Sequence, residues 1–170
     1  MAFIGSGAWQ TGQTLTFGSA SSITWTGIPT NAKKVRLVFQ NVTTTTTNVP
    51  HISMRIGNGV VDSGNNYDWR LKELDSQGSE GGDGNSEIRV TSNTHGSTAH
   101  RWYGIIDFEF LAGEHTNISL RVWSKYGLGS ANHTELAGAR WTGGSAIDRI
   151  QLYHYTGNNY SGGRGTVFYA

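Results

Sequence analysis

The sequence predicts an all-β protein, an antiparallel β-sandwich of jelly-roll type. Apolar and polar residues alternate with a period of two along much of the chain, and no window fits the helical i, i+3, i+4, i+7 pattern better. Glycine accounts for 24 of the 170 residues and proline for only 2. Together with many Thr, Ser and Asn residues, this composition suits short strands joined by tight turns. The 11% of aromatic residues supply large side chains for a core, although the hydrophobic fraction is only 36%.

Six segments alternate clearly enough to be predicted as strands with one buried and one solvated face. In the first, Val35, Leu37 and Phe39 face the core, whereas Lys34 and Arg36 face solvent. The same alternation assigns these buried faces to the other five: Ile52, Met54 and Ile56; Ile106, Phe108 and Phe110; Ile118, Leu120 and Val122; Ile150 and Leu152; Val167 and Tyr169.

Weaker segments complete a prediction of about ten strands. They cover residues 14–17, 22–26, 68–74, 87–91 and 136–141. Polar residues and glycines predict loops at residues 43–48, 77–86, 127–132 and 157–165. Because no helical crossover is available, the strands must be antiparallel and packed in layers, and we favour a sandwich over a closed barrel.

The length of the chain fits one domain. We expect residues 1–13 to form an N-terminal arm and residues 14–170 to form a single β-sandwich domain. The N-terminal segment lacks the basic and apolar regions of a signal peptide, and no stretch approaches the roughly 20 apolar residues that span a bilayer. We therefore predict no membrane partner.

Charge and cysteine content argue against two further function classes. The 13 Lys and Arg residues nearly balance 12 Asp and Glu residues, for a formal net charge of +1, and the basic residues are scattered. Nucleic-acid binding needs several basic groups aligned on phosphates, so no nucleic-acid partner is predicted. The absence of cysteine excludes disulfides and thiolate metal sites.

The sequence gives little evidence for catalytic residues. Asp107 and Glu109 lie two apart on one strand and project from the same face, where two carboxylates could serve glycoside hydrolysis. Neighbouring charges on the solvated face of a strand are the more ordinary interpretation. The sequence also lacks a nucleophile elbow and a phosphate-binding glycine loop. We predict a protein that is not an enzyme, with no catalytic residues.

Metal and cofactor sites are not predicted either. The histidines lack H-x-x-x-H and H-E-x-x-H spacing and are expected at the surface or in turns. Residues 80–87 offer oxygen ligands in a glycine-rich segment but lack the EF-hand spacing, so an acidic loop is favoured over a calcium site. The six histidines are His51, His95, His100, His115, His133 and His154.

Aromatic residues are the best candidates for binding. Trp123 and Tyr153 lie on the polar faces of their strands, where an exposed ring favours an external partner. Tyr67, Trp69 and Tyr126 are expected at loops, where a ring can stack on a sugar or anchor a protein. For any one of these residues, packing within the fold is the competing interpretation.

Four segments match a recurring pattern in the same order along the chain. Residues 25–35, WTGIPTNAKKV, resemble the "F-T-G-I-P-S-G-V-K-R-I-T-V" segment of jelly-roll modules at the ends of phage tail fibres and in related virion proteins. Residues 52–58 and 61–67 resemble the strand and turn that follow, and residues 147–169 resemble the closing unit. These motifs concern fold and virion origin more than any ligand, and residues 70–140 depart from the pattern.

This resemblance implies a non-enzymatic virion protein, made in the host cytoplasm and assembled as a homotrimer. Because the module begins near residue 14, without the shaft of a tail fibre, we expect a capsid decoration or cement protein that binds the major coat protein. Phe3, Ile4 and Trp9 are then the candidate capsid contacts. Two alternatives remain open, namely a tail-fibre tip or other tail protein that binds host surface glycan, and a free-standing carbohydrate-binding module.

Overall fold

Twelve strands form in the described part of the chain. The computed structural model describes residues 8–45, 51–74, 79–92, 100–110, 115–126, 132–144 and 146–170. The strands are β1 (Gln10–Thr16), β2 (Ser22–Trp25), β3 (Lys34–Thr44), β4 (Ile52–Gly57), β5 (Tyr67–Glu73), β6 (Ser79–Asn85), β7 (Ile88–Arg89), β8 (His100–Phe110), β9 (Thr116–Tyr126), β10 (Asn132–Trp141), β11 (Arg149–His154) and β12 (Tyr160–Tyr169).

The strands pair into two antiparallel sheets that enclose one core. The larger sheet has the order β1-β12-β3-β8-β9-β10-β5-β6, and the smaller sheet has the order β2-β11-β4-β7. The predicted all-β sandwich is therefore confirmed. The chain crosses repeatedly between the sheets, since β2, β4, β7 and β11 belong to the smaller one. This alternation suits a jelly roll, although that specific connectivity stays a prediction.

The core contains the side chains that the period-two alternation assigns to it. The predicted inward residues of β3, β4, β9 and β11 are all buried. In β8, Ile106 and Phe108 are buried and Phe110 is only partly so, and in β12 Val167 is buried while Tyr169 is partly exposed. The two partly exposed residues lie at strand ends, where the opposite sheet no longer covers them. Alternation thus located the core correctly but not its limits.

A cluster of large rings joins the two sheets at one end of the core. Trp25 of β2 donates a hydrogen bond from Nε1 to the carbonyl oxygen of Gly165 in β12, at 3.1 Å. The Trp25 ring centroid lies 5.7 Å from that of Phe17, and Phe17 lies edge-on to Tyr160 at 4.8 Å. All four residues are buried. The contact links a strand of the smaller sheet directly to a strand of the larger one.

Two predicted loops are strands in the structure. Ser79–Asn85 pairs with β5 as strand β6, and the first half of β12 occupies residues that were predicted as a glycine-rich turn. Glycine permits rather than prevents pairing at these positions. Gly163 adopts a φ of +109°, and a Cβ there would lie 2.6 Å from the Cα atom of Val42. The register of β12 against β3 shifts at this point, because the strand contains a bulge that only glycine accommodates.

The N-terminal strand begins earlier than predicted. Strand β1 starts at Gln10, which pairs with Tyr169 of β12, so the strand overlaps the last residues of the predicted arm 1–13. Strand β3 extends to Thr44, and strand β7 has only two residues where residues 87–91 were predicted. Pairing partners rather than local sequence set these limits. Residues 1–7 lie outside the described part of the chain.

The contact of Trp25 with Gly165 can be tested by adding one methyl group. A Cβ at residue 165 would lie 2.5 Å from Cζ2 of Trp25 and 3.3 Å from Cε2 of Phe17. We expect Gly165→Ala to lower the free energy of unfolding by about 1–3 kcal/mol, because a rigid buried ring must move. Urea denaturation followed by tryptophan fluorescence measures the change.

Gly138→Ala is the matched control for this substitution. Gly138 lies in strand β10, and no atom lies within 4 Å of a Cβ built there. We expect this variant to be unchanged or slightly more stable, because alanine loses less backbone entropy than glycine on folding. Equal stability of the two variants would contradict the proposed role of Gly165.

Candidate functional site

An apolar row crosses the outer face of the eight-stranded sheet. Register places Val38 beside Ile105, and Ile105 and Leu136 on either side of Arg121. In the adjoining position Trp123 lies between Tyr103 and Thr134. Trp123 is 39% exposed and Leu136 is 38% exposed. The apolar row is defined by Val38, Leu74, Tyr103, Ile105, Trp123 and Leu136.

Basic side chains lie within and beside the apolar row. Arg121 and Lys125 lie on the same face of β9 as Trp123, and Lys72 of β5 is the register partner of Leu136. All three are exposed. Within the described ranges, no carboxylate forms an ion pair with any of them. Arg121 lies within the row, between Ile105 and Leu136, whereas Lys72 and Lys125 lie beside it. The row therefore combines exposed apolar side chains with unpaired basic ones, as protein interfaces often do.

Asp107 and Glu109 share a face, as predicted, and each contacts a cation of strand β3. Arg36 donates to Asp107 from two nitrogen atoms, at 2.6 and 3.0 Å. Nζ of Lys34 lies 3.6 Å from Glu109. These are cross-strand ion pairs of the kind that stabilise an antiparallel sheet. Trp9 lies beside the ion pair of Arg36 and Asp107, and the Arg36 guanidinium is 5.2 Å from the centroid of the Trp9 ring.

Of the three predicted capsid contacts, the structure describes only Trp9. Its side chain is exposed on the outer face of the eight-stranded sheet, beside the ion pair of Arg36 and Asp107. Phe3 and Ile4 lie outside the described residues. Trp9 directly precedes strand β1.

The five predicted surface aromatics fall into different environments. Tyr67 and Trp69 were predicted at loops, but both lie in strand β5 and are buried, with exposures of 0% and 6%. Alternation along β5 directs both rings into the sandwich, so the prediction of surface contacts was wrong for them. Trp123 is exposed as predicted. The side chain of Tyr126 lies outside the described residues, and Tyr153 is half-buried.

Tyr67 stabilises the fold through buried hydrogen bonds to the backbone. Its hydroxyl group accepts a hydrogen bond from the Ile56 amide at 3.1 Å and lies 2.8 Å from the carbonyl oxygen of Asp62, to which it donates. Burial raises the pKa of Tyr67 far above its ordinary value, so the hydroxyl stays protonated. Asp62 in turn accepts hydrogen bonds from Trp141 at 2.7 Å and Asn66 at 2.9 Å. Together these bonds hold the connection between β4 and β5.

Glu87 is the centre of a polar network on the smaller sheet. Tyr153 donates to Oε2 of Glu87, and Ser53 donates to Oε1 at 3.1 Å. Nε2 of His51 lies 3.4 Å from Oε1. Burial alone would raise the pKa of Glu87, but the hydrogen bonds from His51, Tyr153 and Ser53 outweigh it, and the net pKa lies below the ordinary value. The carboxylate is therefore ionised at neutral pH.

Tyr153 is held by this network and differs from the free surface ring that its position predicted. Burial, followed by the hydrogen bond to Glu87, raises the pKa of its hydroxyl group well above the ordinary value. The guanidinium of Arg55 lies 4.7 Å from the centroid of the Tyr153 ring. Arg55 also donates from Nε to the carbonyl oxygen of Ser86 at 2.9 Å. These residues form one wall of a cleft of about 340 Å³.

Three histidines that were expected at the surface are buried. His51, His100 and His154 have at most 6% of their surface exposed. His154 contacts Thr156 through Nδ1 at 3.0 Å, and burial, followed by the charge of His51, lowers its pKa. Of the remaining histidines, His115 is exposed, His133 is half-buried, and His95 lies outside the described residues. Alternation explains two of these positions, because His100 shares the inward face of β8 with Trp102 and His154 that of β11 with Leu152. His51 precedes β4 and is buried beside Glu87 and Tyr155.

Two buried glutamates were missed by the sequence analysis. Glu73 of β5 and Glu135 of β10 are register partners, and both are buried. Glu135 accepts hydrogen bonds from the amide and hydroxyl groups of Ser92, at 3.1 and 3.0 Å. Period-two alternation would have predicted that both are buried, because Glu135 shares a face of β10 with the buried Trp141, and Glu73 shares a face of β5 with the buried Leu71.

Each carboxylate of the acidic segment 80–87 pairs with a donor from the protein. Glu80 forms an ion pair with Arg89 at 2.5 Å, Asp83 forms one with Arg70 at 2.9 Å, and Glu87 belongs to the Tyr153 network. In the described part of the chain, no three His, Asp or Glu side chains form a group that could hold a metal ion. Nor do these residues include a helix long and apolar enough to cross a membrane.

Comparisons with known proteins supply no family. No protein-family model matches the chain, and no curated protein matches it. Among solved structures, the chain is similar to a protein of unknown function from Shewanella oneidensis MR-1, with 13% sequence identity and a TM-score of 0.26. The match covers 90% of this chain and 76% of the other. A likeness at this level carries no argument about fold or function.

The Glu87 network gives stability a defined dependence on pH. Because the pKa of Glu87 is lower in the folded state, its contribution is present above the ordinary pKa of 4.5 and is lost as the pH falls through the folded value. We expect Glu87→Gln to lower the free energy of unfolding by about 2 kcal/mol at pH 7, the usual worth of hydrogen bonds to a charged group. The deficit should shrink below pH 4.

Urea denaturation of the unmodified protein and of Glu87→Gln, repeated between pH 3 and pH 8, measures this effect. Glu109→Gln is the matched control, because Glu109 is exposed and its ion pair with Lys34 is worth less than about 1 kcal/mol. A deficit for Glu87→Gln that is the same at pH 3 and pH 7 would show that the charge of Glu87 contributes nothing.

Proposed function

We propose that this chain is a non-enzymatic structural protein of a bacteriophage particle, and that it decorates the capsid. In this proposal the apolar row on the outer face of the eight-stranded sheet binds the coat lattice. The exposure of that row is the observation that carries the proposal. The sequence resemblance to virion jelly-roll modules supplies the phage context.

An exposed row of this kind favours a protein partner. Isolated apolar residues are common on surfaces, but several exposed apolar side chains on neighbouring strands are typical of an interaction site. Trp123 and Tyr103 lie side by side near its centre. Tryptophan and tyrosine at the middle of an interface contribute much of its binding free energy.

The flanking charges select among possible partners. If two copies met through the same face, Lys72, Arg121 and Lys125 would approach like charges at a cost in free energy. A partner with carboxylates around an apolar patch would instead pair with them. We therefore assign this face to a coat subunit with an acidic surface and expect the homotrimer to use another surface.

Decoration needs no chemistry. A protein that binds only the assembled lattice stabilises it by mass action, because disassembly must first break those contacts. Assembly as a homotrimer would let three modest contacts act together. Phe3, Ile4 and Trp9 would add to each contact from the N-terminal segment, which reaches the same outer face at Trp9.

The apolar row can be tested with a charge at its centre. We expect Trp123→Glu to weaken binding to particles that lack this protein at least tenfold, because a hot-spot ring is lost and a carboxylate enters an apolar contact. Co-sedimentation with such particles measures the affinity. Val60→Glu is the matched control, since Val60 is 72% exposed in the connection between β4 and β5, off the sheet face. Equal binding of the two variants would contradict the assignment.

The position on the particle can be tested by counting. We expect purified particles to contain this chain in a number comparable to that of the major coat protein, measured by quantitative mass spectrometry. A few trimers per particle would instead favour the alternative of a tail protein. Absence from purified particles would contradict both.

A further inference from the structure

We propose that the free edge of strand β1 binds an extended segment of the coat subunit, which joins the eight-stranded sheet as a further strand. Strand β1 lies at one end of that sheet and, in the described part of the chain, pairs with β12 alone. Its other edge therefore presents backbone groups that another strand can bind. The proposal rests on the proposed function and describes one way in which the protein would hold the coat lattice.

Two residues of β1 direct their backbone groups toward the free edge. The Phe17 amide donates to the Gly163 carbonyl oxygen of β12 at 2.9 Å, and Leu15 lies opposite Gly165 in the same register. Successive residues of a strand turn their N–H and C=O groups to opposite edges, so those of Thr14 and Thr16 point away from β12. Both threonines are exposed. Two donors and two acceptors thus alternate along the edge at a spacing that suits another polypeptide strand.

Strand β1 lacks the protection that the other edge strands have. Native proteins usually shorten their exposed edge strands or place charges on them. The edges of the smaller sheet, β2 and β7, have four and two residues. The opposite edge of the larger sheet, β6, carries Glu80 and Asp83, whereas β1 has seven residues without a charge or a proline. Its register shifts between Thr11 and Thr14, so residues 14–16 are the regular part that is open to pairing.

Leu15 determines what kind of segment fits this edge. Its side chain packs against the core but is only partly buried, because no further strand covers it among the described residues. A segment that pairs with β1 would cover Leu15 with a side chain from its inward face, and its outward face would lie beside Thr14 and Thr16. The segment that fits is therefore extended, with an apolar residue facing inward and polar residues facing outward.

A second copy of this chain is the competing occupant of the edge. Two β1 strands that paired antiparallel would be related by a twofold axis, so this contact would give a dimer and could not join the three subunits of a homotrimer. The edge also adjoins the face that we assign to the coat. Trp9 directly precedes β1 and is exposed on the outer face of the larger sheet, where the apolar row also lies. We therefore assign the edge to the coat subunit.

A proline at residue 16 tests the free edge. Thr16→Pro removes an N–H group that does not point to β12 and places a ring in the path of an added strand, so the sheet itself should tolerate it. We expect this variant to bind particles that lack the protein about tenfold more weakly, measured by co-sedimentation. Thr16→Val is the matched control, because it keeps the N–H group and the β-branched shape, and it should bind like the unmodified protein. Equal binding of the two variants would overturn the proposal.

Amide hydrogen exchange gives a second test that needs no variant. We expect the Thr14 and Thr16 amides of the unmodified protein to exchange at least about tenfold more slowly on particles than in the free protein, as resolved by mass spectrometry. The Leu15 amide should be protected in both states. Unchanged exchange at Thr14 and Thr16 in bound protein would overturn this proposal alone, because the apolar row could still bind the coat.

The remaining outcomes separate this proposal from the proposed function. A dimer in solution whose Thr14 and Thr16 amides are already protected would assign the edge to a second copy and overturn the proposal. Failure of the unmodified protein to bind particles at all would overturn both this proposal and the assignment of the apolar row to the coat.

Discussion

The contact between the Trp25 indole and the backbone of Gly165 holds the two sheets of this protein together. Trp25 is fully buried, donates to the Gly165 carbonyl oxygen and packs on the space that a side chain at residue 165 would occupy. Around it, the chain before β2 is bonded to the start of β12. The Phe17 amide donates to the Gly163 carbonyl oxygen, and the Tyr160 amide donates to that of Ala20, both at 2.9 Å. The strands near the two ends of the chain thus close one side of the core.

This closure determines which surfaces are left for binding. Each strand buries one face in the core. The opposite face of the larger sheet therefore stays exposed, with side chains that include Trp123 and Arg121. The smaller sheet turns Ser53, Arg55 and Tyr153 outward, where they form the Glu87 network. One face carries an apolar row with basic residues within and beside it, and the other is polar and already hydrogen-bonded internally. The two faces therefore suit different kinds of partner.

Internal hydrogen bonding also explains why charged and aromatic residues mislead when they are considered singly. Asp107 and Glu109 form a same-face pair, yet each contacts a cation on strand β3. Trp69 was predicted as a surface contact because it is aromatic, but alternation along β5 turns its ring inward, where Arg89 covers it.

The sequence by itself determined the all-β class, the position of most strands and the inward face of each strong one. Period-two alternation is a local property, and burial of one face follows from it directly. It also identified Trp123 as an exposed ring, because the polar face of a strand is readable from its neighbours. The same counting would have located Glu73 and Glu135 in the interior.

Only the tertiary structure decided which strands are neighbours, where the glycine-rich segments pair and which side chains meet. Strand β6 forms because β5 supplies a partner, and the bulge at Gly163 forms because β12 must pass close to the backbone of Val42. Glu87 becomes a shared acceptor because His51, Ser53 and Tyr153 come from two other segments of the chain. Such contacts join residues far apart in sequence, and no local pattern encodes them.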